Sequence, residues 1–519
     1  MIPASDVPQT AQILPLLELF SYKYDNIQKK IKNKVRIVVR GDKEQQFQGK
    51  PAVFSPVADM NVIRLLLSVP SMIFRQLDIK TAFLHGRRDD PLYLRLPNGH
   101  HQAGGETKKV WRTWCSVYGL RDAPHIWNKV LSDSLKEFNL EACIKEPCLF
   151  RSKDVSKSLV VLIYVDDILH ASKNQHELHE FELYLKEKFK IKTTERLEKY
   201  VGFEVHQSTQ EIVLHAEKYI TQLTEKFELT GMKVQSTPFI YGSPIVEPGD
   251  KVLEDRKVFL SILGALSFVS NLCRPDVGFI VNLLARQSSR PTYRHLSLAK
   301  KVLKYLYDSR SKGLTYKQTL NEKEKPKIEV WTDSDWASDP VDRRSVSGYI
   351  VKYSSNLISF KTKKQTLTAK SSFEAEYIAL AFGLEQAMLV RDLVDFLRLP
   401  YDPNVVAYCD NQSTIKSYKS SSTKRSKFID VQYHIVRNQV MEQGVKLQYV
   451  QSEENPADLM TKGVQRAQFN RNISKLVKDC QERKINSIVP VNPSERKKYH
   501  FNKYKPQVSR RQRTSRKYQ

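Results

Sequence analysis

The sequence predicts an α+β protein of several domains, and three observations carry that prediction. Its 519 residues suit two to four domains with sizeable cores. Leu159 to His170 reads LVVLIYVDDILH, and an apolar run this short and this rich in Val and Ile suits a buried strand better than a helix. Further on, strand-like runs ending at Asp333 and at Asp410 flank a helical pattern from Ser371 through Leu397.

Composition narrows the partners. Lys and Arg number 84 against 57 acidic residues, a net charge of +27 with a pI near 9.6. Such a surplus points to a polyanion, and nucleic acid is the commonest one. The six cysteines form no CxxC pair, so they read as reduced thiols of an intracellular protein. No apolar run reaches the roughly 18 residues a membrane helix needs, and the N-terminus lacks a basic-then-apolar signal. A soluble, non-secreted protein without membrane contact is expected.

The LVVLIYVDDILH stretch organises the rest. Asp166 and Asp167 fall at a tight turn, with a second strand leaving through Ile168 and Leu169. Adjacent ionised carboxylates repel, and a bound divalent cation would account for them; an ordinary acidic turn is the alternative. Tyr164-Val165-Asp166-Asp167 resembles the catalytic hairpin of reverse transcriptases. Gln76 to Leu84, QLDIKTAFL, resembles the first metal-binding motif of copia-type retrotransposon reverse transcriptases. The resemblance implies that Asp78, Asp166 and Asp167 ligate two Mg2+ ions, with Mn2+ as the alternative metal. Two such ions clamp the attacking and leaving oxygens of an in-line displacement. It also implies that Phe83 stacks under the sugar and excludes a 2′-hydroxyl; core packing is its other reading.

In chain order, residues 1 to about 33 are the least legible, and Ile13 to Phe20 suits either a short helix or a strand. From Leu19 the run LFSYKYDNIQKKIKNKVRIVVRGD resembles a fingers hairpin. Lys34, Arg36 and Arg40 then contact template or triphosphate, or simply belong to a solvated basic hairpin. Upstream of Leu19 the fingers read as altered or missing. Asn61 to Val69 is an apolar helix. Tyr118 to Trp127, YGLRDAPHIW, is similar to the copia pattern, but Asp122 stands where the family carries Gln and His125 where it carries Arg. Asp122 either repels the incoming nucleotide or is neutralised by Arg121. Asn128 to Phe138, His176 to Phe189 and His215 to Leu229 have helical spacing. Ile191-Lys192 and Tyr200 to Val205 resemble the last palm motifs; Lys192 either protonates the leaving pyrophosphate or is an ordinary surface lysine. Residues 231 to 257 read as a linker, and Phe259 to Tyr307 resembles a helical thumb and connection whose basic residues meet phosphates.

A second acidic set closes the folded part. Asp333 ends a strand, Glu376 lies early in a helix, Asp410 ends a short buried strand and Asp458 opens a helix. Order and surroundings resemble the ribonuclease H domain of copia-type elements, which implies a second two-metal site on these four acids. Asp335 rivals Asp333 and Glu374 rivals Glu376, while Asp458 has a second reading as a first-turn acid favoured by the helix dipole. His434 reads as structural. Residues 481 to 519 carry twelve Lys or Arg against two Glu and read as disordered. Within them, Arg510 to Lys517 is a nuclear-import signal, a nucleic-acid clamp or a solubilising tail.

The expected architecture is thus a fingers-palm-thumb polymerase fold (fingers and palm 1–230, helical thumb or connection 231–325). A ribonuclease H-like α/β domain with a mixed five-stranded sheet (326–466) and a basic tail (467–519) follow. The resemblance implies an RNA-directed DNA polymerase with hybrid ribonuclease activity, within a fragment of a copia-type Pol polyprotein. The implied partners are RNA template, DNA primer, RNA–DNA hybrid and deoxynucleoside triphosphates. The implied setting is a cytoplasmic virus-like particle or the nucleus. The rival reading is a non-catalytic nucleic-acid-binding remnant, and oligomeric state is not legible.

Overall fold

The computed structural model describes residues 1–25, 30–45, 54–97, 100, 109–208, 210–318, 325–417 and 427–479. Residues 480–519 of the basic tail, with its Arg510–Lys517 run, therefore lie outside the described residues. No described helix is long and apolar enough to cross a membrane.

A basic antiparallel hairpin, β1 (Leu16–Asp25) and β2 (Lys30–Val39), lies near the N-terminus. Ile13 to Phe20 is therefore extended, and the hairpin begins three residues before Leu19. It leans on a four-stranded sheet ordered Ile2–Pro3, Lys109–Cys115, Arg87–Arg95, Ile13–Leu14. A small core of Leu14, Val39, Leu92, Leu94, Leu120 and Ala123 joins them.

The acidic hairpin is built into a six-stranded sheet. Helix α1 (Met60–Leu67) is capped by Asp59, whose side chain accepts from Asn61 N. Then come β3 (Ile73–Ile79), α2 (Ala123–Glu137), β4 (Val160–Tyr164), β5 (Asp167–Ser172), α3 (Gln175–Lys188) and β6 (Ile191–Thr194). The sheet order is β6-β3-β5-β4, extended by Leu149–Ser152 and Leu140–Ala142. The apolar run makes a central strand because Val161, Leu162 and Ile163 are all buried with neighbours on both sides.

After the helix Glu217–Lys226 come three more: α4 (Lys257–Cys273), α5 (Gly278–Ala285) and α6 (Tyr293–Asp308). At the α4–α5 junction, buried Arg274 grips Asp276 through two hydrogen bonds of 2.9 and 2.7 Å, and Tyr305 Oη donates to the same carboxylate. This is a fully buried pair with its hydrogen bonds met, and it fixes the junction.

The last sheet has five strands in the order β9-β8-β7-β10-β11: β7 (Ile328–Asp335), β8 (Val346–Tyr353), β9 (Asn356–Lys364), β10 (Val405–Cys409) and β11 (Val445–Tyr449). The β7–β10 and β10–β11 pairs are parallel and the others antiparallel, giving the mixed sheet expected. Helix α7 (Ser372–Phe396) packs on β7 through Gly383, where a Cβ would lie 2.4 Å from Thr332 Cγ2. Helix α8 (Lys427–Glu442) carries His434, which is exposed.

Several expected boundaries differ from the structure. Lys312–Lys317 pairs with Glu211–His215, and Lys478–Asp479 pairs with Lys312–Lys317, so one sheet draws strands from either side of residues 231 and 466. Residues 467–479 are ordered because the helix Arg466–Ile473 buries Phe469 and Ile473. Asp458 lies in a short 3-10 turn, Pro456–Met460, rather than opening an α-helix. Met1 to Asp479 forms one compact unit, with one hydrophobic core running from Ala58 to Val477.

Candidate active sites

The first site grows from strand register. Asp78 on β3 lies opposite Asp167 on β5 and opposite Lys192 on β6. Opposed residues share a face, so Asp167, Asp78 and Lys192 form a row across three strands. Asp166 occupies the turn, where its carbonyl accepts from Ile79 N at 3.3 Å. Val165 in that turn has φ of 60°, a left-handed conformation that strains a β-branched residue. Trp127 Nε1 holds the strained turn by donating to Val165 O at 2.8 Å. Gln76, two residues before Asp78 and so on the same face, donates to Asp167 Oδ1 at 3.0 Å.

Asp78 and Asp166 line a cleft of about 830 Å³, a size that suits a small ligand. Lys34, Arg36, Lys80 and Arg112 line it together with Asp78, Asp166, Trp111 and Tyr118. Burial raises the Asp166 carboxyl, and Asp78 raises it further, against the pull of Arg36 and Lys34. Burial likewise raises Asp167. Two acids that resist ionisation beside four cationic side chains are consistent with a site completed by added cations and an anionic ligand.

The other residues suggested by sequence are scattered around this cleft. Arg36 is in its wall, whereas half-buried Arg40 is tied to Asp42 at 2.6 Å. Phe83 packs its ring 4.6 Å from that of Tyr118, and it is Tyr118 that lines the cleft. Asp122 pairs with Arg88, not with Arg121, whose Nε donates to Gly41 O at 3.1 Å. Asp122 is not among the cleft-lining residues, so the direct repulsion of a nucleotide expected from its charge has no support here. Lys80, Arg112 and Tyr118 were not singled out from sequence, although Lys80 stands two residues beyond Asp78 and Tyr118 opens the YGLRDAPHIW motif.

The second site is tighter. Among the described residues, ligand atoms of Asp333, Asp410 and Asp458 lie within 4.8 Å of one another, as do those of Glu376, Cys409 and Asp410. Asp410 belongs to both groups. The three aspartates of the first site are not drawn together to that extent. Asp335 is absent from both groups, and Glu374 is used locally, its Oε2 accepting from Lys370 N at 2.7 Å. Asn455 sets the 3-10 turn against β7 by donating to Thr332 O at 2.9 Å and accepting from Ala457 N. Gly348, opposite Asp333 on β8, makes room for that turn, since a Cβ there would meet Met460 Cβ at 2.5 Å.

Electrostatics at this second cluster is severe. Burial pushes Glu376 well above the usual carboxylate range, with Asp333 and Asp410 adding to it. Burial and the Asp333 charge push Asp458 up to about 8 and raise Asp410. Asp333 accepts from Thr461 Oγ1, and Lys462 Nζ stands 3.4 Å from Asp333 Oδ1 and 3.2 Å from Asp458 Oδ1. Asp458 Oδ1 is buried without a hydrogen bond. Convergent acids with an orphaned buried oxygen fit a hard divalent cation. Cys409, Thr461 and Lys462 escaped sequence reading, although Lys462 follows Asp458 at i+4.

Residues 4–241 match the family described as reverse transcriptase (RNA-dependent DNA polymerase); the match starts well upstream of Leu19. The chain is 29% identical over 480 residues to the retrovirus-related Pol polyprotein from transposon TNT 1-94 of Nicotiana tabacum, covering 89% of this chain and 35% of that one. It is 29% identical over 475 residues to the Pol polyprotein from transposon RE1 of Arabidopsis thaliana, covering 90% and 32%. The chain thus spans about a third of the length of these curated relatives. A solved RNase H1 from Halobacterium salinarum NRC-1 aligns with 26% of this chain and 94% of its own, at 15% identity and a TM-score of 0.21.

Proposed function

We propose that this chain, a copia-type relative of transposon Pol polyproteins with a reverse transcriptase region at residues 4–241, is an RNA-directed DNA polymerase joined to an RNA–DNA hybrid ribonuclease. The observation that carries the reading is the row Asp167–Asp78–Lys192 beside Asp166, of which Asp78 and Asp166 line a cationic cleft. The second acid cluster, some 250 residues later, supports the nuclease part.

Asp78, Asp166 and Asp167 would hold divalent ions at the first site, and Asp333, Glu376, Asp410 and Asp458 at the second; Mg2+ is the proposed metal. Bound there, such ions supply positive charge to the attacking and leaving oxygens of an in-line phosphoryl displacement. The chain's own residues do the remaining work. Lys34, Arg36, Lys80 and Arg112 attract and orient the triphosphate of an incoming deoxynucleotide. Tyr118, backed by the Phe83 ring, offers a flat wall for a sugar or base. Gln76 keeps Asp167 Oδ1 aimed along the strand row, and Lys192 stands next to Asp78 as a proton donor to a leaving oxygen. At the second site, Thr461 and Gln468 each fix one acid oxygen by hydrogen bonding, which leaves the opposite oxygens facing Lys462 and turned to where an ion would bind. Template, primer and hybrid are the polyanions that the net charge of +27 calls for.

Primer extension on a poly(rA)·oligo(dT) substrate, with and without Mg2+, tests the first activity. Asp166→Asn should lower extension by at least about a hundredfold, the scale of losing a preorganised charge stabiliser, while hybrid binding persists. Asp410→Asn should stop cleavage of the RNA strand in a labelled hybrid and spare extension. Extension that survives Asp166→Asn rules out the hairpin as the polymerising site. Hybrid binding without either activity would favour the nucleic-acid-binding remnant.

A further inference from the structure

The second cluster already contains a cation. Lys462 Nζ lies 3.4 Å from Asp333 Oδ1 and 3.2 Å from Asp458 Oδ1. The opposite oxygen of each acid is committed elsewhere: Thr461 Oγ1 donates to Asp333 Oδ2, and Gln468 Nε2 donates to Asp458 Oδ2 at 2.8 Å. Lys462 therefore meets the two oxygens that neutral donors leave unused. Lys462 Nζ donates one long hydrogen bond, to Asp333 Oδ1 at 3.4 Å, whereas Asp458 Oδ1 receives none, so its contact with Asp458 is charge held near charge. Both acids are almost completely buried, yet the Lys462 side chain retains 32% exposure. It enters from the rim on a flexible four-carbon stem and has a path back to solvent.

We propose that Lys462 is a resident counter-cation of the nuclease cluster, standing where a divalent ion has to bind and swinging outward to the nucleic-acid backbone when one enters. The inference rests on the ribonuclease reading above and deepens it. Asp333, Glu376, Asp410 and Asp458 carry up to four negative charges in a small volume, and one ammonium offsets a quarter of that. A divalent ion must displace it, because two cations a few ångströms apart repel strongly where water is scarce. A phosphate of the bound hybrid supplies the displaced ammonium with a new partner. Ion binding and hybrid binding then assist each other through a single side chain, each strengthening the other by the same factor. The free protein accordingly holds metal weakly.

The test is calorimetric titration of Mg2+ alone into the full chain carrying Asp166→Asn, which cripples the first acid set. In that background Lys462→Met should bind Mg2+ roughly tenfold more tightly or better, since the nearest competing charge is gone, and Lys462→Arg should stay close to the parent. Adding hybrid should tighten Mg2+ binding to the parent and leave Lys462→Met nearly unchanged. Thermal melts give a second readout that does not need the metal-free variant to be robust. Mg2+ should raise the melting temperature of Lys462→Met over its value in EDTA by at least about twice the parent's increment, because uncompensated buried acids destabilise the ion-free fold. Equal affinities and equal increments in parent and variant overturn the counter-cation role alone. Absence of any Mg2+ binding in both proteins overturns it together with the nuclease reading.

Discussion

Arg64→Met should destabilise both halves of the molecule at once. Arg64 lies in α1 with 3% exposure, and its guanidinium reaches three backbone carbonyls from distant segments. It donates to Ile358 O at 3.3 Å, to Leu272 O at 3.4 Å and to Asn271 O, with Asn61 Oδ1 at 2.9 Å. Asn271 and Leu272 stand in the last turn of α4, where carbonyls lack intrahelical donors. Ile358 sits at the irregularity of β9, where the register passes from Ser359 to Leu357 and skips it. The guanidinium thus satisfies a helix end and a bulge while stacking 4.5 Å from the Phe360 ring. Methionine preserves much of the volume but orphans three acceptors, each costing about 1–3 kcal/mol when buried. Relief from burying a guanidinium without an acidic partner offsets several kcal/mol of that. A net loss of about 3 kcal/mol is expected, a large share of the roughly 5–15 kcal/mol that holds a typical domain together. Urea titrations followed by tryptophan fluorescence, primer extension and hybrid cleavage should all move to lower denaturant together. Arg64→Lys should recover only part, since one ammonium cannot bridge the same fork of acceptors. A loss below about 1 kcal/mol, or a shift in one activity but not the other, would refute the account.

Other consequences are as direct. Asp122→Gln should leave the KM for deoxynucleoside triphosphate within about twofold and cost about 1 kcal/mol of stability, because the carboxylate serves Arg88 rather than the cleft; a several-fold fall in KM would restore the repulsion reading. Burial holds the His170 imidazole below its ordinary 6.5, and Glu182, despite burial, lies below its ordinary 4.5 through hydrogen bonds from His170 and Arg75. The unfolded chain then takes up a proton that the folded one refuses, so the His170 contribution is present above pH 6.5 and shrinks as pH falls below it. His170→Gln should flatten the decline in urea midpoint between about pH 7 and pH 5; an unchanged slope would place the titration elsewhere. Finally, residues 326–466 expressed alone should aggregate or remain partly unfolded, because β9 loses its contacts with α1 and α5 and the Phe469 and Ile473 anchors are missing; a sharp, reversible melt of that fragment would contradict this.

What the sequence determined by itself is whatever depends on residues near one another along the chain. The run Val160 to Tyr164 with its two aspartates specifies a strand and a turn through side-chain size, charge and period alone. The same holds for the 3.6-residue pattern of α7, whose N-cap Ser371 accepts from Glu374 N, and for Asp410 just past a strand end, whereas the strand expected to end at Asp333 runs on to Asp335. Strand alternation even put Gln76 on the face of Asp78. Tertiary structure alone decided which side chains meet across long separations. Asp122 finds Arg88, 34 residues away, instead of its neighbour Arg121; Arg64 closes over carbonyls more than 200 residues later; Lys462 enters a cluster assembled from Asp333 onward. Strand order and sheet sharing, as where Lys312–Lys317 joins both Glu211–His215 and Lys478–Asp479, follow from burying one common core. The physical reason is that propensity, capping and periodicity act over a few residues, whereas buried charges must find whichever partner the packed fold leaves within reach.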